Sequence, residues 1–317
     1  MAEKKFASQA DLAEKKATFS ELADGVYAYT TEGDPNTGVV VGDDAVLIMD
    51  ARATPVLAQE LIDVIRGVTD KPIKYMVLSH YHAVRVLGAS AYGAEYIIAS
   101  EMTRDLIAER GQQDFESEVQ RFPRLFQSVE TVPGLTWPNI TFSDRMSLWL
   151  GSREVRLMHL GKGHTKGDIV AWLPDEKVCF SGDLVEYGAT PYAGDSYPRE
   201  WIETLERVKA LGAERMVPGR GDALVGADQV RTAIEQTQAF LKTMVTSIEG
   251  GVKKGQDLRE VYASTYAALK PDFGDWVIFD HCLPFDVSRA FDAEKGVTDP
   301  RIWTAERDME MWKALEG

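Results

Sequence analysis

The chain has 317 residues, of which 44% are hydrophobic and 27% are charged, the balance of a soluble globular protein. Its 50 acidic residues outnumber the 35 basic ones, giving a formal net charge of -15. This excludes nucleic acid as the main partner, because neutralising phosphates requires a basic surface. The two cysteines, Cys179 and Cys282, provide no disulfide framework and are expected to be buried thiols.

The N-terminal residues 1–16 are charged and rich in alanine, without the apolar segment of a signal peptide. No stretch of the sequence reaches the roughly 18 continuous apolar residues that span a membrane. We therefore expect a cytoplasmic protein without a membrane partner. Residues 1–18 are predicted to be an extension that precedes the folded domain.

The first half of the chain has the pattern of an α/β protein. Alternating apolar residues predict strands at 25–30, 38–42 and 45–50, and an apolar stripe at helical spacing predicts a helix over 55–68. The apolar run 73–78 predicts a buried strand, and a strand, a helix and a strand in this order are typical of an α/β layer. Further strands are predicted at 96–99, 140–150, 155–160, 169–173 and 178–180.

Two histidines follow directly after the strand predicted at 73–78. His80 and His82 are two residues apart, so on an extended backbone their side chains point to the same side. This spacing lets both rings reach one cation at roughly 2.0 to 2.1 Å. The sequence therefore predicts a metal site at the end of this strand.

Three further fragments lie downstream in a fixed order. They are GKGHTKGD around His164, CFSGD ending at Asp183, and VPGRG around Arg220. Together with SHYHAVR around His80 and His82, they resemble the metallo-β-lactamase superfamily. Its members carry HxHxDH, then GHT, then a strand that ends in GD, then PGHG. The resemblance extends over residues 25–222.

The resemblance implies a fold and a set of metal ligands. The fold is a four-layer αββα sandwich of the α/β class, here with an additional helical region at the C-terminus. In the family, the histidines of HxH and GHT hold the first metal, and these match His80, His82 and His164. The aspartate that usually bridges two metals matches Asp183.

The ligands of the family's second metal are missing from this chain. The aspartate and histidine of DH are Val84 and Arg85, and the histidine of PGHG is Arg220. All three losses fall on one site, which predicts a single divalent metal, with zinc first and iron or manganese as alternatives. Arginine pairs bidentately with carboxylates, so both arginines are expected to neutralise Asp183 or to bind an anionic substrate.

Two segments are candidates for the rim of the site. Helices are predicted over 101–110 and 112–130, the second interrupted at Pro123, and analogy with the superfamily predicts a lid here; simple packing on the core is the alternative. The loop at 186–192 contains Tyr187, a candidate hydrogen-bond donor to the substrate, which a merely packed tyrosine would equally explain. A helix at 201–211 and a strand at 215–217 follow.

Residues 228–317 are predicted to be a helical extension packed on a metallo-β-lactamase-like domain at 19–227. Helices are expected at 228–248, 258–269 and 304–315. Between them lies His281, a candidate extra ligand or proton-transfer group, with a packed histidine as the alternative. The amphipathic helices also offer a surface for a homodimer.

The sequence thus predicts a metal-dependent hydrolase of a small anionic substrate with an ester, lactone, thioester or amide bond. Asp183 and His281 are the candidate catalytic residues, with Asp168 as a further group that could orient the attacking water, because Val84 can neither accept a proton nor bind a metal. Two alternatives remain. One is a mononuclear non-haem iron oxygenase, for which an apolar residue beside the metal is acceptable. The other is a non-catalytic binding protein in which Arg85 and Arg220 replace the metal.

Overall fold

The computed structural model describes residues 5–316, which form two β-sheets and the helices around them. The strands are β1 (Thr18–Ala23), β2 (Val26–Thr30), β3 (Thr37–Val41), β4 (Val46–Met49), β5 (Ile73–Val77), β6 (Tyr96–Ser100), β7 (Ile140–Phe142), β8 (Arg145–Leu150), β9 (Arg153–Met158), β10 (Val170–Leu173), β11 (Val178–Gly182), β12 (Arg215–Pro218) and β13 (Leu224–Val225). The first sheet joins β1 to β7 in sequential order, and the second has the order β13-β12-β11-β10-β9-β8. Both are mixed: β4 to β7 pair in parallel, as do β11 and β12.

The helices lie between and after these strands. They are α1 (Pro55–Arg66), α2 (Ala83–Val86), α3 (Glu101–Arg121), α4 (Pro198–Lys209), α5 (Ala227–Lys253), α6 (Leu258–Phe273), α7 (Phe279–Glu294) and α8 (Ala305–Leu315). Short 3-10 helices are formed by Leu87–Tyr92 and Val129–Thr131. Within residues 5–316, no helix is both long enough and apolar enough to cross a membrane. The cytoplasmic location and the homodimer remain predictions.

The local sequence of helix α1 explains where the helix begins and which face it buries. Thr54 caps its N-terminus by accepting a hydrogen bond from the backbone N–H of Leu57 at 3.3 Å, and Pro55 occupies the first turn, where a missing N–H costs nothing. Its buried face consists of residues at helical spacing, including Leu61 and Ile65. This face packs against the first sheet.

Three apolar clusters separate the layers. The cluster between the sheets contains Leu47 of the first sheet and Phe180 of the second. A second cluster joins α1 to the outer face of the first sheet. The third joins Trp201 of α4, together with α5, α6 and α7, to the outer face of the second sheet. This arrangement confirms the predicted four-layer αββα sandwich with C-terminal helices.

The site residues come from the ends of strands in both sheets. His80 follows β5, Asp183 follows β11, and Arg220 follows β12. Strands β11 and β12 are parallel neighbours, so their carboxyl ends meet at one edge. The two sheets therefore present these residues to each other, as expected of a site built on a rigid scaffold.

The structure differs from the predicted elements in several places. The single strand predicted at 140–150 is two strands, β7 and β8, which lie in different sheets, and β1 and β13 were not predicted. Helix α3 is continuous through Arg121, whereas two helices, the second extending to residue 130, were predicted. Helix α7 was missed, because Pro284 lies inside it and proline usually ends a helix. The predicted domain boundaries remain predictions, and residues 1–4 and 317 of the two predicted extensions lie outside the described residues.

Candidate metal centre

Three histidines from two loops converge at the predicted site. His80, His82 and His164 are 1%, 2% and 1% exposed, and one ring nitrogen of each lies within 4.8 Å of the others. Their ring planes are close to perpendicular, with centroids 4.6 to 4.9 Å apart. The structure thus brings together the three residues predicted to hold the metal.

The orientation of the His80 ring is fixed by a hydrogen bond at Nδ1, the nitrogen that points away from the other histidines. Its Nδ1 lies 2.9 Å from Oγ of Ser79, and that hydroxyl donates to Asp50 Oδ2 at 2.8 Å. Because the Ser79 proton is used on Asp50, the His80 Nδ1–H is the donor to Ser79. This leaves His80 Nε2 as an unprotonated acceptor that faces the other histidines.

The other two histidines are held in the same way. His82 Nε2 lies 3.2 Å from Oδ2 of Asp195, and His164 Nδ1 lies 2.7 Å from the backbone carbonyl of Tyr192. Both partners are acceptors, so each ring donates outwards and turns its other nitrogen inwards. His82 Nδ1 and His164 Nε2 are 2.9 Å apart. Three ring nitrogens therefore face one point, and in their deprotonated form they are the donor set of a divalent metal such as zinc.

The protonation states support this fit. Burial lowers the pKa of His164 to about 3 and holds the pKa of His80 well below its usual value. His80 Nε2 is buried and lacks a hydrogen-bond partner among the described residues, a costly state unless another group binds it. Neutral imidazoles with an unused lone pair are the form in which histidine binds metals.

Asp183 lies beside the three histidines. Its Oδ2 is 3.7 Å from His80 Nε2 and 3.6 Å from His164 Nε2. Arg85 Nη2 donates to Oδ1, and Arg220 Nη1 donates to Oδ2 at 3.2 Å. Burial alone would raise the pKa of Asp183, but the two guanidiniums hold it well below its usual range. The carboxylate is therefore charged and flanked by two fixed cations.

The two arginines differ in what else they contact. Arg85 donates to the carbonyls of Asn36 and Gly219, both at 2.7 Å. Arg220 donates to Oε1 of Glu186 at 3.2 Å and lines a cavity beside the histidines. Arg85 is not among the residues that line this cavity. The substrate-binding role predicted for both residues remains a prediction.

The cavity beside the histidines measures about 10 Å³, room for about one water molecule. Its wall combines the metal-facing groups with side chains of α3 and α7. The lining residues are His82, Val84, Glu118, Arg121, Phe122, His164, Asp183, Tyr192, Arg220, Ile278, His281 and Cys282. Metal site, charged side chains and aromatic rings thus share one closed space.

The two remaining predicted site residues, His281 and Tyr187, lie in different surroundings. His281 lines the cavity; its Nδ1 lies 2.8 Å from Ser8 Oγ, and its Nε2 is buried without a partner among residues 5–316. Its ring stacks on Phe122 at 4.2 Å between centroids. Tyr187 instead packs, half-buried, against the cluster of the C-terminal helices. The functional roles predicted for both remain predictions.

Helix α3 contributes acidic groups that the sequence analysis missed. Asp114 Oδ2 and Glu118 Oε2 accept hydrogen bonds from the backbone N–H groups of Ala83 and Val84, each at 2.7 Å. Burial would lower the pKa of His82, but these carboxylates and that of its partner raise it to about 9. Without a metal, His82 Nδ1 therefore holds a proton directed at His164 Nε2, 2.9 Å away, and a metal that binds here has to displace that proton. Positions 114, 118 and 121 fall on one helical face, but in the sequence such a charged stripe looks like a solvent-exposed face and gives no signal of a site.

Comparison with known proteins agrees with this geometry. The family model of the metallo-beta-lactamase superfamily matches residues 30–220. A metallo-beta-lactamase type 2 of Bacteroides fragilis is 24% identical over 220 residues, which cover 65% of this chain and 79% of the relative. A linear primary-alkylsulfatase of Pseudomonas sp. (strain ATCC 19151) is 20% identical over 235 residues, covering 63% of this chain and 44% of the relative.

The fold likeness also reaches the C-terminal helices. The solved structure of a double mutant of a sec-alkyl sulfatase superposes with a TM-score of 0.65 at 16% identity, covering 81% of this chain and 50% of that one. This share exceeds what the residues before α5 alone could supply. From the matched family model and the three converging histidines, we conclude that the chain belongs to the metallo-beta-lactamase superfamily and is one of its metallo-hydrolases.

Proposed function

We propose that this protein hydrolyses a small anionic substrate with one divalent metal held by His80, His82 and His164. The observation that carries the proposal is the convergence of three buried ring nitrogens, one of them, His80 Nε2, without a partner among the described residues. Zinc is the first choice, because it favours imidazole ligands and needs no redox partner. Iron and manganese are the alternatives.

A single metal is supported by the contacts of Asp183. A carboxylate that bridges two metals would need a second cation on its far side. Here Arg85 and Arg220 both bind it, and Arg85 is fixed by two further carbonyls. Guanidiniums are permanently charged, so they supply positive charge where the superfamily pattern has a second metal.

The side chains around the cavity have different roles in the proposed hydrolysis. A bound divalent metal lowers the pKa of a coordinated water to about 7 and polarises the bond under attack. In the tautomer that donates Nδ1–H to Ser8, His281 presents Nε2 on the cavity wall as an acceptor that orients the attacking water. Burial and the two nearby arginines hold the pKa of His281 well below its usual value, so the ring is neutral. Val84 excludes bulk water from the same wall.

The bond that is cleaved belongs to one of a few classes. Esters, lactones, thioesters and amides are all attacked by an activated water. The similarity to an alkylsulfatase adds sulfate esters to this set. The buried cations favour a substrate that carries a negative charge.

The proposal is tested by a hydrolysis assay on these five bond classes, with protein that has been stripped by a chelator and then reloaded with zinc. We expect stripping to abolish activity and zinc to restore it. His80→Ala should lose both bound metal and activity. His159→Ala is the matched control, because His159 lies outside the cavity and bonds the carbonyl of Asp168 at 2.8 Å. Full activity in His80→Ala would contradict the proposal.

A further inference from the structure

One cation on the cavity wall has no hydrogen-bonded carboxylate among the described residues. The side chain of Arg121, at the end of α3, is 1% exposed, and its buried Nε has no hydrogen-bond partner among residues 5–316. The nearest carboxylate oxygens are Glu118 Oε1 at 3.7 Å and Asp308 Oδ2 at 3.9 Å, which are ion-pair distances beyond hydrogen-bonding range. Its N–H donors are thus free to bind another group.

The Nε of the other cavity arginine, Arg220, is also buried without a partner, and the two residues differ at their terminal nitrogens. Arg220 is anchored by the carboxylates of Asp183 and Glu186, each at 3.2 Å. A guanidinium has five N–H donors, and burying them without acceptors is costly. Such a cost is tolerated at sites that bind a ligand. Arg121 therefore has the character of a binding group, although nothing in the sequence motifs pointed to it.

The groups around Arg121 form a receptor rather than a packed core. Two more cavity-lining groups lack partners among residues 5–316: His281 Nε2 and the hydroxyl of Tyr192. The guanidinium carbon lies 5.1 Å from the Tyr192 ring and 4.8 Å from the Phe285 ring. Aromatic faces hold a guanidinium in place while leaving its edge free.

The hydrogen-bond donors and aromatic rings of this receptor suit an oxyanion on an apolar body, and the cavity of about 10 Å³ must open to admit it. The free edge of a guanidinium binds two oxygens of a carboxylate or sulfate side by side. The Tyr192 hydroxyl can donate to the same group, and the neighbouring rings accommodate apolar atoms. Glu118 and Asp308 reduce the local positive charge, so binding must come from directed hydrogen bonds more than from net charge.

We infer that Arg121 binds the anionic group of the substrate, a carboxylate or a sulfate, on the cavity wall beside the metal-binding histidines. This inference rests on the proposed hydrolase function and specifies its substrate. The anion lies on the α3 side of the cavity, and the bond to be cleaved faces the histidines. Arg121 is therefore a determinant of specificity, distinct from Arg85 and Arg220, which serve Asp183.

The test is calorimetric binding of three probes to the zinc-loaded protein: benzoate, phenyl sulfate and the neutral benzamide. We expect Arg121→Gln to weaken benzoate or phenyl sulfate by about tenfold or more, the effect of losing one or two charge-assisted hydrogen bonds, and to leave benzamide unchanged. The anion whose binding affinity falls more on substitution of Arg121 identifies the preferred group. Anion contacts with the metal are the same in both proteins, so they cancel in the comparison.

Two further variants complete the design. Arg124→Gln is the matched control, because Arg124 lies three residues further along the chain and is already bonded to Asp34 and Asp11. This variant should bind all probes as the parent does. Arg121→Lys keeps the charge but loses the planar fork. If Arg121→Gln does not fold, Arg121→Lys should still weaken the anions several-fold while keeping its zinc.

The outcomes separate this inference from the proposed function. Equal binding of anions and benzamide by the parent, or unchanged anion binding in both Arg121 variants, overturns the role of Arg121 even if the hydrolysis assay succeeds. If the parent hydrolyses none of the five bond classes but loses anion binding on substitution of Arg121, the hydrolase proposal fails and the anion site stands.

Discussion

At the scale of single residues, the histidines depend on the groups behind them. Asp195 accepts from the hydroxyl of Tyr81 at 2.8 Å and from Arg110 at 3.3 Å, besides its contact with His82. Burial alone would raise the pKa of Asp195, but its contacts, that with His82 first, lower it to about 2. A charged acceptor thus fixes the ring of His82 with Nδ1 facing inwards.

Asp195→Asn should lower the affinity for zinc by about 10- to 100-fold, the usual cost of removing a group that orients a metal ligand. The amide keeps the size of the side chain but loses the charge that fixes the ring. Zinc affinity is measured by competition with a coloured chelator. The exposed Asp299→Asn is the control and should bind zinc as the parent does, whereas an unchanged affinity in Asp195→Asn would remove this role.

The raised pKa of the buried Asp168 leads us to expect that the stability of the protein depends on pH. Asp168 accepts from the backbone N–H and the hydroxyl of Thr165, at 2.8 and 2.6 Å, and burial raises its pKa to about 7. Between pH 4 and 7 the folded state therefore holds a proton that the unfolded state has lost. By linkage, this contribution to the free energy of unfolding falls as the pH rises through that window, on the order of 1 kcal/mol per pH unit.

Urea unfolding at pH 5 and pH 8 checks this expectation. Asp168→Asn cannot titrate, so its stability relative to the parent should be higher at pH 8 than at pH 5. The exposed Asp175→Asn serves as the control for the loss of one negative charge. A constant difference between Asp168→Asn and the parent at the two pH values would show that Asp168 is ionised in the folded protein throughout.

Part of the site could be predicted from short motifs and part could not. His80, His82, His164 and Asp183 lie in local fragments that strand ends carry to one point. Spacing identified His80 and His82, and the resemblance to the superfamily identified His164 and Asp183. Arg121 comes from a helix that reaches the site only through tertiary packing, and its charged neighbours resemble an ordinary solvated helix face. Only its burial distinguishes Arg121 from a charged residue on a solvent-exposed helix face, and a single sequence does not reveal burial.

At the scale of elements, α7 shows where periodicity misleads. No helix was predicted around His281, but the chain is helical from Phe279 to Glu294, with Pro284 inside the helix. The helix buries residues on several sides, including Leu283 and Phe285. Its amphipathic pattern is therefore weak. A helix enclosed by neighbours lacks the polar face by which a sequence usually reveals one.

The N-terminal segment packs against α7 and α8. Phe6 meets the ring of Trp312 edge-on at 5.3 Å between centroids, and Ser8 contacts His281. This segment has no regular strand or helix between Lys5 and Ala17, so few backbone hydrogen bonds hold it. Because the cavity holds only about one water molecule, a substrate requires some covering part to move.

Deletion of residues 1–10 should speed the loss of zinc to a chelator several-fold. Without Phe6 and Ser8, α7 and His281 lose contacts that keep the cavity closed. The release rate is followed with a coloured chelator in excess. Leu12→Ala, a change at a side chain that is 57% exposed in the same segment, is the control and should release zinc at the parental rate. An unchanged rate in the deletion variant would show that the segment does not cover the site.

At the scale of the whole molecule, the sandwich explains why strands and motifs could be predicted together. Each motif follows a strand whose apolar residues fill the core between the sheets, so the same pattern reveals the strand and the position of its end. The packing of the C-terminal helices could not be predicted, because an apolar helical stripe does not specify its partner. Their contact with the outer face of the second sheet emerged only from the structure.

The whole account depends on a single metal ion at three histidines, with Arg85 and Arg220 taking the place of a second one. Elemental analysis of the protein, as purified and after dialysis against excess zinc, tests this most directly. The account predicts about one divalent metal per chain in both samples, and iron in place of zinc would favour the oxygenase alternative at the same site. Two metal ions per chain, or none after dialysis, would contradict it.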